Sequence, residues 1–290
     1  MAAQVTFWGC RGSIPTPGPA TARYGGNTPC VALEAENGKR LVILDAGTGI
    51  RVLGNELVRR AEDGVVSVDL LLSHTHWDHI QGLPFFAPIF GKGNAVRIWG
   101  AKQGDVDLEV ILRQQMHPVV FPVPLDELAA TRTVEHVTGA EFAIDGFAVR
   151  ATRLRHPGNT LAYRLTPTAG GPSMAYVTDN ELGPGGDYGE PRTWRRDFER
   201  FLGGVDLLIH DAMFTPEELA HHHGWGHSSY DDAVTLAAAV GAQRLVLFHH
   251  SPERDDAGMD QVAERAAEVA EQAGATLDVI AATEGMELTL

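Results

Sequence analysis

The sequence predicts an α/β fold, two mixed β-sheets flanked by helices, in one domain spanning residues 1–290. Three observations predict it. Strand-like groups and helices occur in both halves of the chain, no linker or short-period repeat divides it, and 44% hydrophobic with 21% charged residues is the balance of a globular protein with a sizeable core.

Val5 to Trp8 reads as the first strand, and the Gly- and Pro-dense run Gly9 to Pro19 forbids regular structure but is long enough to reach a site. Cys30 to Glu34 and Arg40 to Leu44 form a hairpin around Asn37-Gly38. Asp45-Ala46-Gly47-Thr48-Gly49 leads into a helix to about Ala61, with Thr48 as its cap. An apolar strand from Val66 to Ser73 follows, then a short helix or turn at Gly82 to Phe86 and a strand from Ala95 to Trp99. Asp105 to about Gln115 reads as a helix, and the Pro-rich Met116 to Pro124 as a flap beside the site. Thr133 to Val137, Glu141 to Ile144 and Phe147 to Leu154 are strands of a second sheet, the last two joined through Asp145-Gly146; Leu161 to Thr166 and Ser173 to Thr178 extend it. Gly183 to Gly189 is a loop, Thr193 to Leu202 a helix and Val205 to His210 an apolar strand. Helix and strand then alternate: Tyr230 to Val240, Arg244 to Phe248, Met259 to Ala273, Thr276 to Ile280.

Asp and Glu outnumber Lys and Arg by 38 to 23, a formal charge of -15, so the chain has no general basic footprint for nucleic acid. Two divalent cations would still make a site locally positive. The two cysteines, Cys10 and Cys30, give no disulfide framework; they fit a reducing compartment and read as small buried apolar residues. Met1 to Val5 has no basic leader, and no run approaches the ~18 apolar residues that span a bilayer, so the expected location is cytoplasmic with no membrane contact.

The chemistry is concentrated where the strand ending at Ser73 runs into His74-Thr75-His76-Trp77-Asp78-His79. Alternate side chains of an extended segment point the same way, so His74 and His76 can bind one cation while Asp78 and His79, after a bend, reach a second. A lone buried histidine is usually a hydrogen-bonded core residue. Three with an aspartate at one strand end would desolvate together, which is costly without a counter-ion. Further ligands should also stand where a strand meets a loop: His156, Asp179, and one of His249 and His250 meet that test. Valence suggests His74, His76 and His156 on one metal, Asp78, His79 and the late histidine on the other, and Asp179 as the bridge. Nitrogen and oxygen donors without sulfur suit Zn, the expected cofactor, or Mn or Fe.

This ligand order resembles the metallo-β-lactamase superfamily. The resemblance implies an αββα sandwich with two metals at the edge between the sheets, and it selects His249 over His250. Phe7 to Thr16, Gly25-Gly26-Asn27-Thr28, Leu44 to Gly49 and Gly226-His227-Ser228-Ser229 look like the branch containing cyclic-phosphate phosphodiesterases and the tRNA 3′ processing endonuclease RNase Z. It implies His227, assisted by Asp211, as a catalytic pair beside Asp78. Asn27 and backbone amides of the Gly-rich N-terminal loop are candidate phosphate contacts, with a purely structural turn as the alternative. The long arm with which RNase Z grips tRNA has only the short Gly183 to Gly189 loop as a counterpart, and no Cys stands at a ligand-like place as in the antibiotic-hydrolysing branch.

The expectation is a phosphodiesterase acting on a small, cyclic phosphodiester. An RNA 3′-end nuclease is the runner-up, ahead of a carboxyl-ester, lactone or thioester hydrolase. A metal-binding sensor is argued against by Asp211 and His227, since a scaffold needs no proton donor. Nucleic acid is the disfavoured partner, and the resemblance implies a homodimer. The triplet His221-His222-His223 reads as a solvated rim feature near His227.

Overall fold

Strands apolar on both faces need cover on both, and this chain supplies it in four layers. A computed structural model describes every residue except 1–2, 36–39, 62–63, 139–140, 145 and 184. The expected turns at Asn37-Gly38 and at Asp145 lie outside the described residues.

In chain order the first strands are β1 (Ala3–Gly9), β2 (Cys30–Ala35), β3 (Arg40–Leu44), β4 (Ser67–Leu71), β5 (Ala95–Gly100) and β6 (Thr131–His136). Then come β7 (Glu141–Ile144), β8 (Phe147–Arg153), β9 (Leu161–Pro167), β10 (Met174–Val177), β11 (Leu207–Asp211), β12 (Arg244–Phe248), β13 (Asp278–Ala281) and β14 (Glu287–Thr289). One sheet has the order β14-β1-β2-β3-β4-β5-β6 and the other β13-β12-β11-β10-β9-β8-β7. Each is mixed: β3 to β6 run parallel, as do β10 to β13, whereas β1, β2 and β3, and β7 to β10, pair antiparallel.

The side-chain period of two assigns each face. Val5, Phe7, Val31, Leu33, Val42 and Leu44 from one sheet meet Val149, Tyr163, Tyr176, Ile209 and Phe248 from the other, forming the core between them. The intervening Cys30, Ala32, Leu41 and Ile43 point outward under α1 (Gly49–Arg60), α2 (Trp77–Ile80) and α3 (Leu108–Gln115). The outer face of the second sheet is covered by α4 (Trp194–Leu202), α6 (Tyr230–Val240) and α7 (Asp256–Gln272), with the short α5 (Pro216–Leu219) set apart against Met213 and Phe214. Among the described residues no helix is long and apolar enough to cross a membrane.

Two expectations are corrected and one strand is added. The strand expected at Thr133 to Val137 is β6, and it belongs to the first sheet, pairing parallel with β5. A half-buried edge strand looks alike whichever sheet it joins. The C-terminal β14 returns to the first sheet beside β1; its three residues, two exposed, gave no strand signal. Thr48 makes no side-chain cap; its hydroxyl accepts from Thr28 N–H and its own N–H donates to the Thr28 hydroxyl, both at 2.9 Å, tying α1 to the β2 entry.

Candidate metal centre and active site

Apart from His227, which leads into α6, the side chains of the candidate site leave from the C-terminal end of a strand or the loop after it. His74, His76, Asp78 and His79 follow β4, while His156, Asp179, Asp211 and His249 follow or end β8, β10, β11 and β12. Topology thus brings residues far apart in sequence to one edge of the sandwich.

Among the described residues the structure assembles three groups of donor atoms: His74, His76, His156 and Asp179; Asp78, His79, Asp179 and His249; and Asp211, His227 and His249. Asp179 is common to the first two, and its two oxygens are divided between them. Oδ2 lies 3.7 Å from His74 Nε2 and 3.5 Å from His156 Nε2. Oδ1 lies 3.2 Å from both His79 Nε2 and His249 Nε2. Asp78 Oδ2 closes the second group at 3.2 Å from His79 Nε2 and 3.1 Å from His249 Nε2. Four ligands each about 2.0–2.1 Å from a tetrahedral ion are ~3.3 Å apart, so these spacings fit cations. The Nε2 atoms of His74 and His79 are buried without a hydrogen-bond partner, an arrangement that a cation would satisfy.

In His74, His79 and His156 the other ring nitrogen is fixed from behind, which sets the tautomer. His156 Nδ1 donates to the Gly226 carbonyl at 2.9 Å, leaving Nε2 to face the group. His79 Nδ1 lies 2.8 Å from Asp45 Oδ2, and the same oxygen accepts from the Ser73 and Tyr176 hydroxyls at 2.8 Å each. Since the Ser73 hydroxyl is donating to Asp45, it accepts from His74 Nδ1 at 3.0 Å. Asp45, fully buried, is therefore a functional residue that sequence reasoning missed. The available signal was an acid at a strand end, just as at Asp179. Asp45 and His249 both hold positive φ, 61° and 59°, and strain of this kind concentrates at sites.

Burial holds the His74 imidazole well below its ordinary value, aided by the neighbouring His79, and likewise lowers His76; it takes His156 down to about 4. These rings are neutral at pH 7, with lone pairs available. His79 goes the other way: burial opposes its protonation, but Asp78, Asp179 and Asp45 outweigh it and hold it charged. His79 would give up that proton on holding a cation. Asp78 and Asp179 stay ionised despite burial because of the surrounding imidazoles.

His227 stands beside the second group, its ring stacked on His249 with centroids 5.1 Å apart. Its Nδ1 meets Asp211 Oδ2 at 2.7 Å. Asp211 is itself fixed by N–H groups of Asn180 and Met213 at 3.2 and 2.9 Å. Burial lowers the His227 affinity for a proton, but the Asp211 ion pair more than reverses this and raises it to about 9.

Other expected residues fall elsewhere. Asn27 is not brought into any of these groups: its side-chain amide donates to Glu284 at 2.9 Å, and it lines a surface cavity of about 400 Å³ with Gly25, Gly26 and Thr48. Of the N-terminal loop, Ser13 N–H does reach the site, donating to Asp78 Oδ2 at 2.8 Å. His250 turns away and sits 2.8 Å from the Ala282 carbonyl. The flap is rooted beside α2, where the Gln115 side chain donates to the Ile80 carbonyl at 2.7 Å.

Glu181 was also missed. Fully buried, it accepts from Gly224 N–H at 3.0 Å, Gly226 N–H at 3.2 Å, Gly186 N–H at 3.3 Å and the Tyr188 hydroxyl, so one carboxylate pins the loop carrying His227 to the 183–189 loop. Glu181→Gln puts an amide N–H₂ against these donors. It should cost about 2–3 kcal/mol, read by denaturant unfolding; an unchanged unfolding midpoint would remove the anchor role.

Comparison with known proteins bears directly on this geometry. A family model described as "Beta-lactamase superfamily domain" matches residues 40–250. The chain belongs to the β-lactamase superfamily. It is a metal-dependent hydrolase of that superfamily. It is 27% identical over 288 residues to "Ribonuclease Z" of Synechococcus sp. (strain WH7803), covering 86% of this chain and 85% of the relative. Among solved structures, the metallo-β-lactamase fold protein YhfI from Bacillus subtilis superposes with a TM-score of 0.69 at 19% identity, over 100% of both chains. A "New Diphosphatase from the PhnP Family" gives 0.67 at 19% identity over 99% and 97%, and human tRNase Z, short form, 0.65 at 22% over 98% of each. These neighbours share the superfamily's αββα sandwich.

Proposed function

We propose that the chain hydrolyses phosphodiesters at a binuclear metal centre and that its substrate is a small, cyclic diester. The observation that carries this reading is the buried His227–Asp211 pair at 2.7 Å, standing outside the two groups that share Asp179. A phosphodiester expels an alkoxide and gains most from such an acid; a carboxyl ester, lactone or thioester has less need of it.

Two bound divalent ions supply Lewis acidity, acidifying water and neutralising charge that builds on phosphate oxygens. The chain's own residues hold and orient. His74, His76 and His156 would hold one ion, Asp78, His79 and His249 the other, with Asp179 between them. Zinc is the proposed ion, with manganese or iron suited to the same donors. His227, charged at neutral pH, keeps one proton on Asp211 through Nδ1 and delivers the other from Nε2 to the leaving oxygen. Asp211 fixes the ring's orientation and charge.

A small substrate is supported by the shortness of Gly183 to Gly189, the stretch that would answer to a tRNA-gripping arm, and by the charge of -15. The second reading, an RNA 3′-end nuclease, is favoured by ribonuclease Z relatives that match along most of their length, such as 85% of the Synechococcus protein. It tempers the expectation that nucleic acid is the disfavoured partner. We treat residues 1–290 as one cytoplasmic hydrolase domain.

A substrate panel tests the reading. With zinc or manganese supplied, bis(p-nitrophenyl) phosphate and 2′,3′- or 3′,5′-cyclic nucleotides should be cleaved, while a lactone and a pre-tRNA should not. Site-specific trimming of pre-tRNA at physiological salt would promote the nuclease.

A further inference from the structure

Two tryptophans stand exposed beside the ligand groups and take no part in the chemistry above. Trp77 is 79% exposed and Trp225 is 61% exposed. Trp77 follows His76 at the start of α2, and Trp225 precedes Gly226, whose carbonyl accepts from His156. His76 Nδ1 and His156 Nε2 are 3.0 Å apart. The tryptophans are thus chain neighbours of His76 and of the Gly226 that holds His156, one on each sheet's loops.

Trp225 is held rather than loose. Its ring meets His222 edge to face, with centroids 4.8 Å apart at 87°. His222 is stacked on Phe214 at 4.5 Å and 17°, and its Nδ1 donates to the Glu218 carbonyl at 2.6 Å. Phe214 in turn meets His227 at 6.0 Å and 78°. A ladder of four rings thus runs from the proton donor out to Trp225 and gives the middle of the histidine triplet a purpose. A large aromatic ring that is fixed on one side yet 61% exposed offers apolar surface to a ligand.

We propose that Trp225, with Trp77 across the cleft, stacks the planar base of a nucleotidyl phosphodiester whose phosphate lies at the two ligand groups. The proposal rests on the phosphodiester reading and names its substrate class. A base matches because every base presents a π-face, and stacking on an aromatic side chain tolerates any of the four. A diester carrying only a sugar or glycerol has no such face.

The test compares 2′,3′-cyclic AMP with glycerol 1,2-cyclic phosphate on zinc-loaded wild type, Trp225→Ala, Trp225→Phe and Trp77→Ala. Trp225→Ala should raise KM for the nucleotide about 5- to 150-fold, leave kcat/KM for the glycerol diester unchanged, and be largely restored in Trp225→Phe. Independently of turnover, AMP should quench tryptophan fluorescence in wild type but far less in Trp225→Ala, and ribose 5-phosphate should quench neither. Equal losses on both diesters, or no change on either, would overturn the clamp while leaving the phosphodiesterase standing. If neither diester is cleaved but AMP quenching still depends on Trp225, the activity assignment fails and the base site survives. A change in particle size for Trp77→Ala with base preference intact would assign that ring to an interface between copies and remove it from the clamp.

Discussion

Replacing His227 with alanine should lower kcat on an alkoxide-leaving diester by about 10²–10⁴-fold, the usual worth of general acid catalysis. The ring lies outside the groups that share Asp179, so elemental analysis should still find about two metal ions per chain. The loss should shrink on a p-nitrophenyl diester, whose leaving group needs little protonation. Asp211→Asn should show the same pattern more mildly, because it removes the charge that orients His227 and leaves the ring in place. The pH profile carries the sign. Asp211 raises His227 from its ordinary value to about 9, so the acid is present at neutral pH and lost as pH rises through that value. Bound cations oppose a further positive charge and bring the loss to lower pH. An equal fall on both leaving groups, or a fall in thermal stability with kcat intact, would reduce His227 to a structural role beside α6.

Asp179→Ala should be as severe, for a different reason. Its two oxygens serve different groups, so one substitution takes a donor from each. Metal content should drop from about two ions per chain to substoichiometric, with activity lost on good and poor leaving groups alike. His250→Ala is the matched control: an equally buried histidine, adjacent to His249 but bonded to the Ala282 carbonyl, whose loss should leave metal in place. Full metal content in purified Asp179→Ala would refute the bridge.

Much of this site was legible because its signal is local. His74 to His79 packs its donors into one strand end, and His156, Asp179 and His249 repeat the same position after other strands. Asp45 and Glu181 were harder to see because their role is defined by partners far away in sequence. Asp45 acts through Ser73, His79 and Tyr176, and Glu181 through backbone N–H groups that carry no side-chain signature. In the fold, the buried strands declared themselves by unbroken apolar runs. What periodicity cannot give is partnership: β6 alternates half-buried and exposed residues and could edge either sheet, and α5 depends on a capping box between Thr215 and Glu218 too short to stand out.

The ligand set is divided between the two halves of the sandwich. His74, His76, Asp78 and His79 come from the first sheet, His156, Asp179 and His249 from the second, and the Asp45–Tyr176 hydrogen bond crosses the same seam. Ions held there act as rivets between two plates. Their binding free energy becomes cohesion of the sandwich itself, about 4 kcal/mol for ligand at a thousandfold excess over Kd. Folding and the acquisition of reactivity are then coupled: a chain whose sheets have not closed has no complete coordination pocket, and one stripped of metal loses part of what keeps the sheets together.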